Sequence, residues 1–186
     1  MAGVDSALNP FIARALGRRA KRGPSEFQAD YAMIDAARDP RIFPALTESR
    51  VEALCLYDGP LSESIARVAP YLVRMDMGSR FVRRFADDGW GHAWGTLIRA
   101  PTSITELRRH LRTLAYVRTP GHRKLLFRYY DPRVLTVFLP ICDKEQLKQI
   151  FGPIRAFVLD DPPATASRDE TGALQLTAWQ APTEPV

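Results

Sequence analysis

The chain has 186 residues, 46% of them hydrophobic and 25% charged, with a net charge of +5. That is the make-up of a soluble globular protein of one domain, with room for a small appendage. No stretch approaches the ~20 apolar residues of a membrane-spanning helix, and two distant cysteines, Cys55 and Cys142, exclude a disulfide framework and read as reduced thiols of a cytoplasmic protein.

The charge is unevenly placed. Residues 1–24 hold Arg14, Arg18, Arg19, Lys21 and Arg22 against Asp5, which puts +4 in this leader and leaves +1 for the rest. A near-neutral body weakens any inference from a basic chain to nucleic-acid binding. Met1 to Asn9 lacks the basic start and long apolar centre of a secretory signal, so none is expected. In the leader Phe11, Ile12, Ala15 and Leu16 share one helical face beside its arginines, and Gly23-Pro24 ends it. It reads as a solvated basic helix or as one that docks on an acidic surface.

The body alternates strand-like and helix-like segments. Tyr31 to Asp35 is a short apolar run, and Asp39-Pro40-Arg41 opens a helix to about Ser49. Ala53 to Tyr57 reads as a buried strand closed by the turn Asp58-Gly59-Pro60. Leu61, Ile65 and Val68 keep helical spacing up to Pro70, and Tyr71 to Met75 is a strand. Ser79 to Ala86 predicts a helix with Phe81, Val82 and Phe85 inward. Trp94 to Arg99 is the next strand. Ser103 and Glu106 form a capping box for a helix with Ile104, Leu107, Leu111 and Leu114 inward, closed by Thr119-Pro120-Gly121. Leu125 to Tyr130 reads as a strand, and Asp131-Pro132 starts a helix to about Leu139. Asp143 caps a helix over 144–151 that ends at Gly152-Pro153. Ile154 to Leu159 is a strand, 162–172 a polar flexible loop, and Leu174 to Trp179 a last strand that could hairpin with the one before. The expected fold is α/β, with α+β as the alternative: a mixed sheet flanked by helices, with a short C-terminal hairpin. The expected divisions are the leader at 1–24, the main domain at 25–160, and the loop, strand and Pro-rich tail at 161–186.

Catalytic patterns are missing from the sequence. His92, His110 and His122 are the histidines, with no metal-ligand spacing, and there is no nucleophile elbow or phosphate-cradling glycine loop. Neither an enzyme nor a cofactor or metal is expected. Trp90 and Trp94, in Gly89-Trp90-Gly91-His92 and Trp94-Gly95, read first as buried indoles around a tight turn. Arg108, Arg109 and Arg112 lie on the outward face of their helix: a solvated face, a protein-docking face, or a nucleic-acid face without the interleaved aromatics that stacking needs. Arg128, Asp131 and Arg133 cluster with Tyr130 at a strand-to-helix corner, where an internal salt bridge and a contact to a partner are equal readings.

The ordered set of these pieces resembles the domain-of-unknown-function 4123 family. The pieces are Leu54-Cys55-Leu56-Tyr57-Asp58-Gly59, Ala69-Pro70-Tyr71-Leu72-Val73, Gly89-Trp90 with Trp94-Gly95, the Leu107 to Arg112 run, Phe127 to Leu135 with its Arg-Tyr-Tyr-Asp-Pro-Arg core, and Phe151-Gly152-Pro153. Proteins of that family are adaptors, or effector chaperones, of bacterial type VI secretion systems. The resemblance implies a cytoplasmic, non-enzymatic protein that binds a cognate secreted effector and loads it onto the VgrG spike protein, with no small-molecule substrate and no membrane. Many members carry a further C-terminal helical lobe, for which 161–186 offers no counterpart, and the resemblance leaves the basic leader unexplained. The binding candidates are Arg128, Tyr130, Asp131 and Arg133, then Arg108, Arg109 and Arg112, with Trp90 and Trp94 behind them. The alternative functions are a basic nucleic-acid-binding protein and, third, a hydrolase built on His92 or His110.

Overall fold

In the computed structural model the described residues are 30–76, 78–118 and 124–178. The expected leader helix at 1–24, the Thr119-Pro120-Gly121 stop, Trp179 and the end of the Pro-rich tail lie outside them.

In chain order the elements are β1 (Tyr31–Asp35), α1 (Ile42–Ser49), β2 (Ala53–Cys55), α2 (Glu63–Ala66), β3 (Pro70–Arg74) and α3 (Arg80–Arg84), which runs on into a π turn at Phe85–Gly89. There follow β4 (Gly95–Arg99), α4 (Ile104–Thr113), β5 (Tyr116–Arg118), β6 (Lys124–Leu126), α5 (Pro132–Phe138) with a 3-10 turn at Leu139–Ile141, and α6 (Lys144–Phe151). The last three strands, β7 (Ala156–Asp160), β8 (Pro163–Arg168) and β9 (Leu174–Ala178), form a meander.

Seven strands make one sheet in the order β2-β3-β1-β4-β7-β8-β9, and β5 and β6 form a separate ribbon. Helices flank the sheet as the sequence implies, and every described pairing is antiparallel, which gives the α+β form. All five residues of β1 are buried, so the sheet is covered on both faces at this strand, whereas β9 at the far edge is mostly exposed. Alternation sorts the side chains between two cores. Ala32, Ile34, Val73, Leu97 and Val158 face α1 and α3. Tyr31, Met33, Leu72, Ile98 and Phe157 face α4, α5 and α6.

Local chemistry sets the helix starts. Ser103 and Glu106 form the expected capping box on α4, and Asp143 with Gln146 forms one on α6. Asp131 caps α5 with Pro132 in its first turn. Close approach explains one glycine: a Cβ on Gly95 would lie 2.0 Å from the Met33 carbonyl oxygen of the neighbouring strand.

Several elements differ from expectation. The strand expected at Ala53–Tyr57 is only Ala53–Cys55 and half-buried, because it lies at the sheet edge. The helix around Ile65 is a single turn that leaves Ile65 46% and Val68 49% exposed. The helix from Ser103 ends at Thr113, and Tyr116–Arg118 pairs with Lys124–Leu126. Tyr129 and Tyr130 are not strand but turn; a flat strand would send adjacent side chains to opposite faces, whereas both rings are buried in the same core. The segment 162–172 is no flexible loop. Its Pro163–Arg168 portion is β8, with Ala164 and Ala166 alternating inward, and side chains that small hide a strand pattern. The last strand hairpins with β8 and not, as expected, with Ile154–Leu159, because β8 lies between β7 and β9.

Candidate functional site

The Arg-Tyr-Tyr-Asp-Pro-Arg corner joins α5 to the central strand. Arg128 Nη2 donates to Asp35 Oδ2 at 2.5 Å, and Asp35 sits at the end of β1 with its side chain 2% exposed. The Arg128 guanidinium lies 5.8 Å from the Tyr130 ring centre. Tyr130 is itself buried, its ring edge-on to Tyr129, and its hydroxyl meets the Tyr57 hydroxyl at 3.4 Å. Burial, then Tyr57, pushes the Tyr130 phenol well above its ordinary range.

Asp131 is buried and does three things at once. Its Oδ1 accepts the Arg133 backbone N–H at 3.0 Å and Arg133 Nε at 3.0 Å, while Oδ2 accepts Arg133 Nη2 at 2.7 Å. Burial pulls the carboxyl up, but these bonds outweigh it and hold Asp131 below the usual carboxylate range. The same closed loop recurs at Asp39-Pro40-Arg41, where Asp39 Oδ1 accepts the Arg41 N–H at 2.8 Å and the guanidinium grips both oxygens. Proline carries no N–H and holds its φ, so the aspartate reaches past it to the arginine.

Trp90 and Trp94 are on the other face of the sheet. Both are buried, Trp90 edge-on to Phe85, in the core formed with α1 and α3. Their loop is pinned from across the sheet. Asp160 Oδ2, at the end of β7, accepts the N–H groups of Gly91 and Ala93 at 3.2 and 3.1 Å. Burial raises the Asp160 carboxyl above its ordinary value, and those N–H groups offset some of the rise.

Arg108, Arg109 and Arg112 do come together, along one wall of an open groove of about 900 Å3 between α4, α2 and the turn after β2. Arg108 braces the groove: its Nε donates to the Cys55 carbonyl at 2.6 Å and its Nη2 to the Tyr57 carbonyl at 3.4 Å. Arg112 spans to Asp58, whose side chain is 83% exposed. Arg109 is exposed. The remaining lining includes Leu56, Tyr57, Leu61, Ile65 and Tyr116. Tyr57 lines the groove and touches Tyr130, so the corner and the groove share one wall.

The groove residues other than the arginines were not singled out from the sequence. Tyr57 and Asp58 lie in a family-like run, but nothing local shows that a turn, a short helix and a later hairpin converge. Asp35, which pairs with Arg128 of the corner, and Asp160, which pins the Trp90–Trp94 loop, come from strands far away in sequence. His110 Nε2 is 2.9 Å from the Ile150 carbonyl oxygen, tying α4 to α6, and the carbonyl of exposed His92 accepts from Arg38 Nε; His122 lies outside the described residues. Among the described residues no group of three or more His, Cys, Asp or Glu is placed to hold a metal, and no helix is long and apolar enough to cross a membrane. Burial pushes the Cys55 thiol up, away from the reactive thiolate.

No curated protein matches the chain, and no solved structure does. A family model described as Domain of unknown function (DUF4123) matches residues 31–149, from the central strand through the groove and the corner into α6. That match covers more than half of the chain, and the protein belongs to the DUF4123 family.

Proposed function

We propose that this protein is an adaptor of a type VI secretion system, working in the cytoplasm, which binds a cognate effector and loads it onto the VgrG spike without making or breaking bonds itself. Family membership supports the reading through the role that the resemblance implies. The observation that carries it is the open groove, where arginines line one wall and Ile65 and Tyr116, 46% and 53% exposed, stand at the rim. Arginine and aromatic side chains on an apolar ground are the mixture that protein interfaces favour. Most other charged candidates serve the fold: Asp131 caps a helix, Arg128 holds a buried carboxylate, and Arg108 holds backbone carbonyls.

The test is co-purification of the tagged chain from cells that also express the neighbouring open reading frames. A toxin-like protein and a spike protein should come down together and stay bound between about 50 and about 200 mM salt. Retrieval of neither removes the adaptor reading. Capture of nucleic acid that falls off steeply over that salt range would favour a phosphate-binding role instead.

A further inference from the structure

The groove differs from a merely solvated face in two respects. Its lining carries three guanidiniums and one carboxylate, a net charge of +2, although most of the chain's excess positive charge lies in the leader. Its apolar side chains are exposed where a soluble surface would hide them: Ile65 and Tyr116 are in the lining, and Val68, 49% exposed, follows on the segment after α2. Large apolar side chains gathered at one exposed place mark an interaction site.

The one carboxylate shows how the arginine wall is used. Asp58 stands on the turn after β2 and crosses to pair with Arg112, yet its side chain is 83% exposed. Arg112 is 29% exposed and Asp58 Oδ1 also accepts the Gly59 N–H at 3.0 Å, but a pair whose carboxylate stands in water contributes little to stability, about 1 kcal/mol at most. Asp58 is therefore a weakly held tenant of a guanidinium that faces the groove. Arg108, by contrast, is committed to two backbone carbonyls and fixes the wall in place.

We propose that the groove seats an acidic, apolar segment of the partner polypeptide, whose carboxylates bind Arg109 and displace Asp58 from Arg112 while its apolar side chains cover Ile65 and Tyr116. The inference rests on the adaptor reading above and names the chemistry of its partner. The ten residues of α4 run for about 15 Å, enough for three turns of an amphipathic helix or about four extended residues. A segment of that length offers two or three carboxylates at i, i+3 or i+4 spacing to the wall.

Asp58 gives the inference a sign that a structural role would not produce. If a partner carboxylate competes with it, Asp58→Asn removes the competitor and tightens binding. If Asp58 only steadies the turn, the same substitution loosens binding or leaves it alone.

The experiment is selection of a random twelve-residue peptide library on the immobilised full chain, followed by fluorescence anisotropy of the enriched peptides on Arg109→Glu, Ile65→Asp and Asp58→Asn variants. Thermal melts confirm that these surface substitutions leave the fold intact. The enriched peptides should combine several Asp or Glu with Leu, Ile, Phe or Tyr. Arg109→Glu and Ile65→Asp should each weaken them more than about tenfold, and Asp58→Asn should strengthen them by up to about fivefold. Failure to enrich any peptide, enrichment of neutral or basic peptides, equal binding to the Arg109→Glu and Ile65→Asp variants, or unchanged or weaker binding to Asp58→Asn would each overturn the inference. Co-purification separates the two proposals. A partner retained by the Arg109→Glu/Ile65→Asp double variant removes the groove but keeps the adaptor; no partner with the wild-type chain removes the adaptor.

Discussion

Removing Arg128 should destabilise the protein more than removing the charge of its partner Asp35. The two side chains form one ion pair, but they sit in different surroundings. Asp35 is 2% exposed and Arg128 is 46% exposed. In Arg128→Met the carboxylate stays buried and keeps the Ala37 N–H, 3.2 Å from its Oδ1, and the more remote charge of Arg133. Stranding a buried charge typically costs ~3–5 kcal/mol. Because the guanidinium is half in water, the lower end applies, at about 3 kcal/mol. In Asp35→Asn the guanidinium turns to solvent and the amide oxygen still accepts from Ala37, so the loss is about 1 kcal/mol, the worth of an ordinary hydrogen bond. For a chain of this size those losses lower Tm by about 6–12 °C and about 2–4 °C. The double variant should melt within about 1 kcal/mol of Asp35→Asn, the remainder being the stacking of Arg128 on Tyr130. Urea and thermal unfolding followed by circular dichroism read all three. If Arg128→Met proves no worse than Asp35→Asn, Asp35 is better solvated than its burial implies and the corner is not held by this pair.

Three more substitutions probe the rest of the frame. Gly152 ends α6 at φ +46°, and a Cβ there would come within 2.3 Å of the His110 ring; Gly152→Ala should cost about 2–3 kcal/mol in urea unfolding, and a neutral result would show that the α4–α6 contact yields easily. Gly95→Ala would place a methyl 2.0 Å from the Met33 carbonyl oxygen and force β1 and β4 away from each other; it should abolish soluble expression or lower Tm by more than about 6 °C, and a wild-type melt would refute the close packing. Asp160 has a folded pKa raised above its unfolded value, chiefly by burial. Its contribution to stability is therefore full below the unfolded carboxylate value near ~3.9 and is lost as pH rises through the folded value. Asp160→Asn, whose amide oxygen can still accept from Gly91 and Ala93, should equal or exceed wild type near about pH 7 and lose that advantage as the pH falls below about 4. Urea midpoints across this range check it, and an advantage that grows toward acid would contradict the buried placement of the carboxyl.

What the sequence reveals depends on how far each signal reaches. Capping chemistry acts within four residues, so Ser103, Asp131 and Asp143 announce their helices correctly. Large apolar residues at helical spacing place Phe81, Phe85, Leu107 and Leu111 in the core. β8 escapes because Ala164 and Ala166 bury too little surface to stand out among their polar neighbours. Tyr129 and Tyr130 mislead because β-favouring aromatics in a row suggest a strand, whereas the Asp131 cap draws them into a turn. The groove is invisible in one dimension: it needs Asp58, Ile65, Arg112 and Tyr116 from four separate segments to meet.

The family-like signature therefore divides into two kinds of residue. Asp131 and Arg133 close a local ring that Asp39 and Arg41 build again elsewhere, and Asp39, like Asp131, is held below its ordinary range, there chiefly by its arginine hydrogen bond. A motif that serves twice in one chain at two helix starts is a device for turning the backbone, and its charges are largely satisfied before any partner arrives. Trp90, Trp94 and Gly95 are likewise consumed by packing. Asp58, Arg109 and Arg112 differ because they line an open volume and the groove contact made among them, Asp58 to Arg112, is weak, while Tyr57 lines the same volume with its hydroxyl on Tyr130. Specificity for a partner should accordingly change with substitutions around α4 and the turn after β2, while substitutions in the Arg-Tyr-Tyr-Asp-Pro-Arg corner should act through stability. Exchanging residues 57–65 and 105–116 with those of a second family member, and finding that the bound partner does not change, would place recognition elsewhere on the molecule.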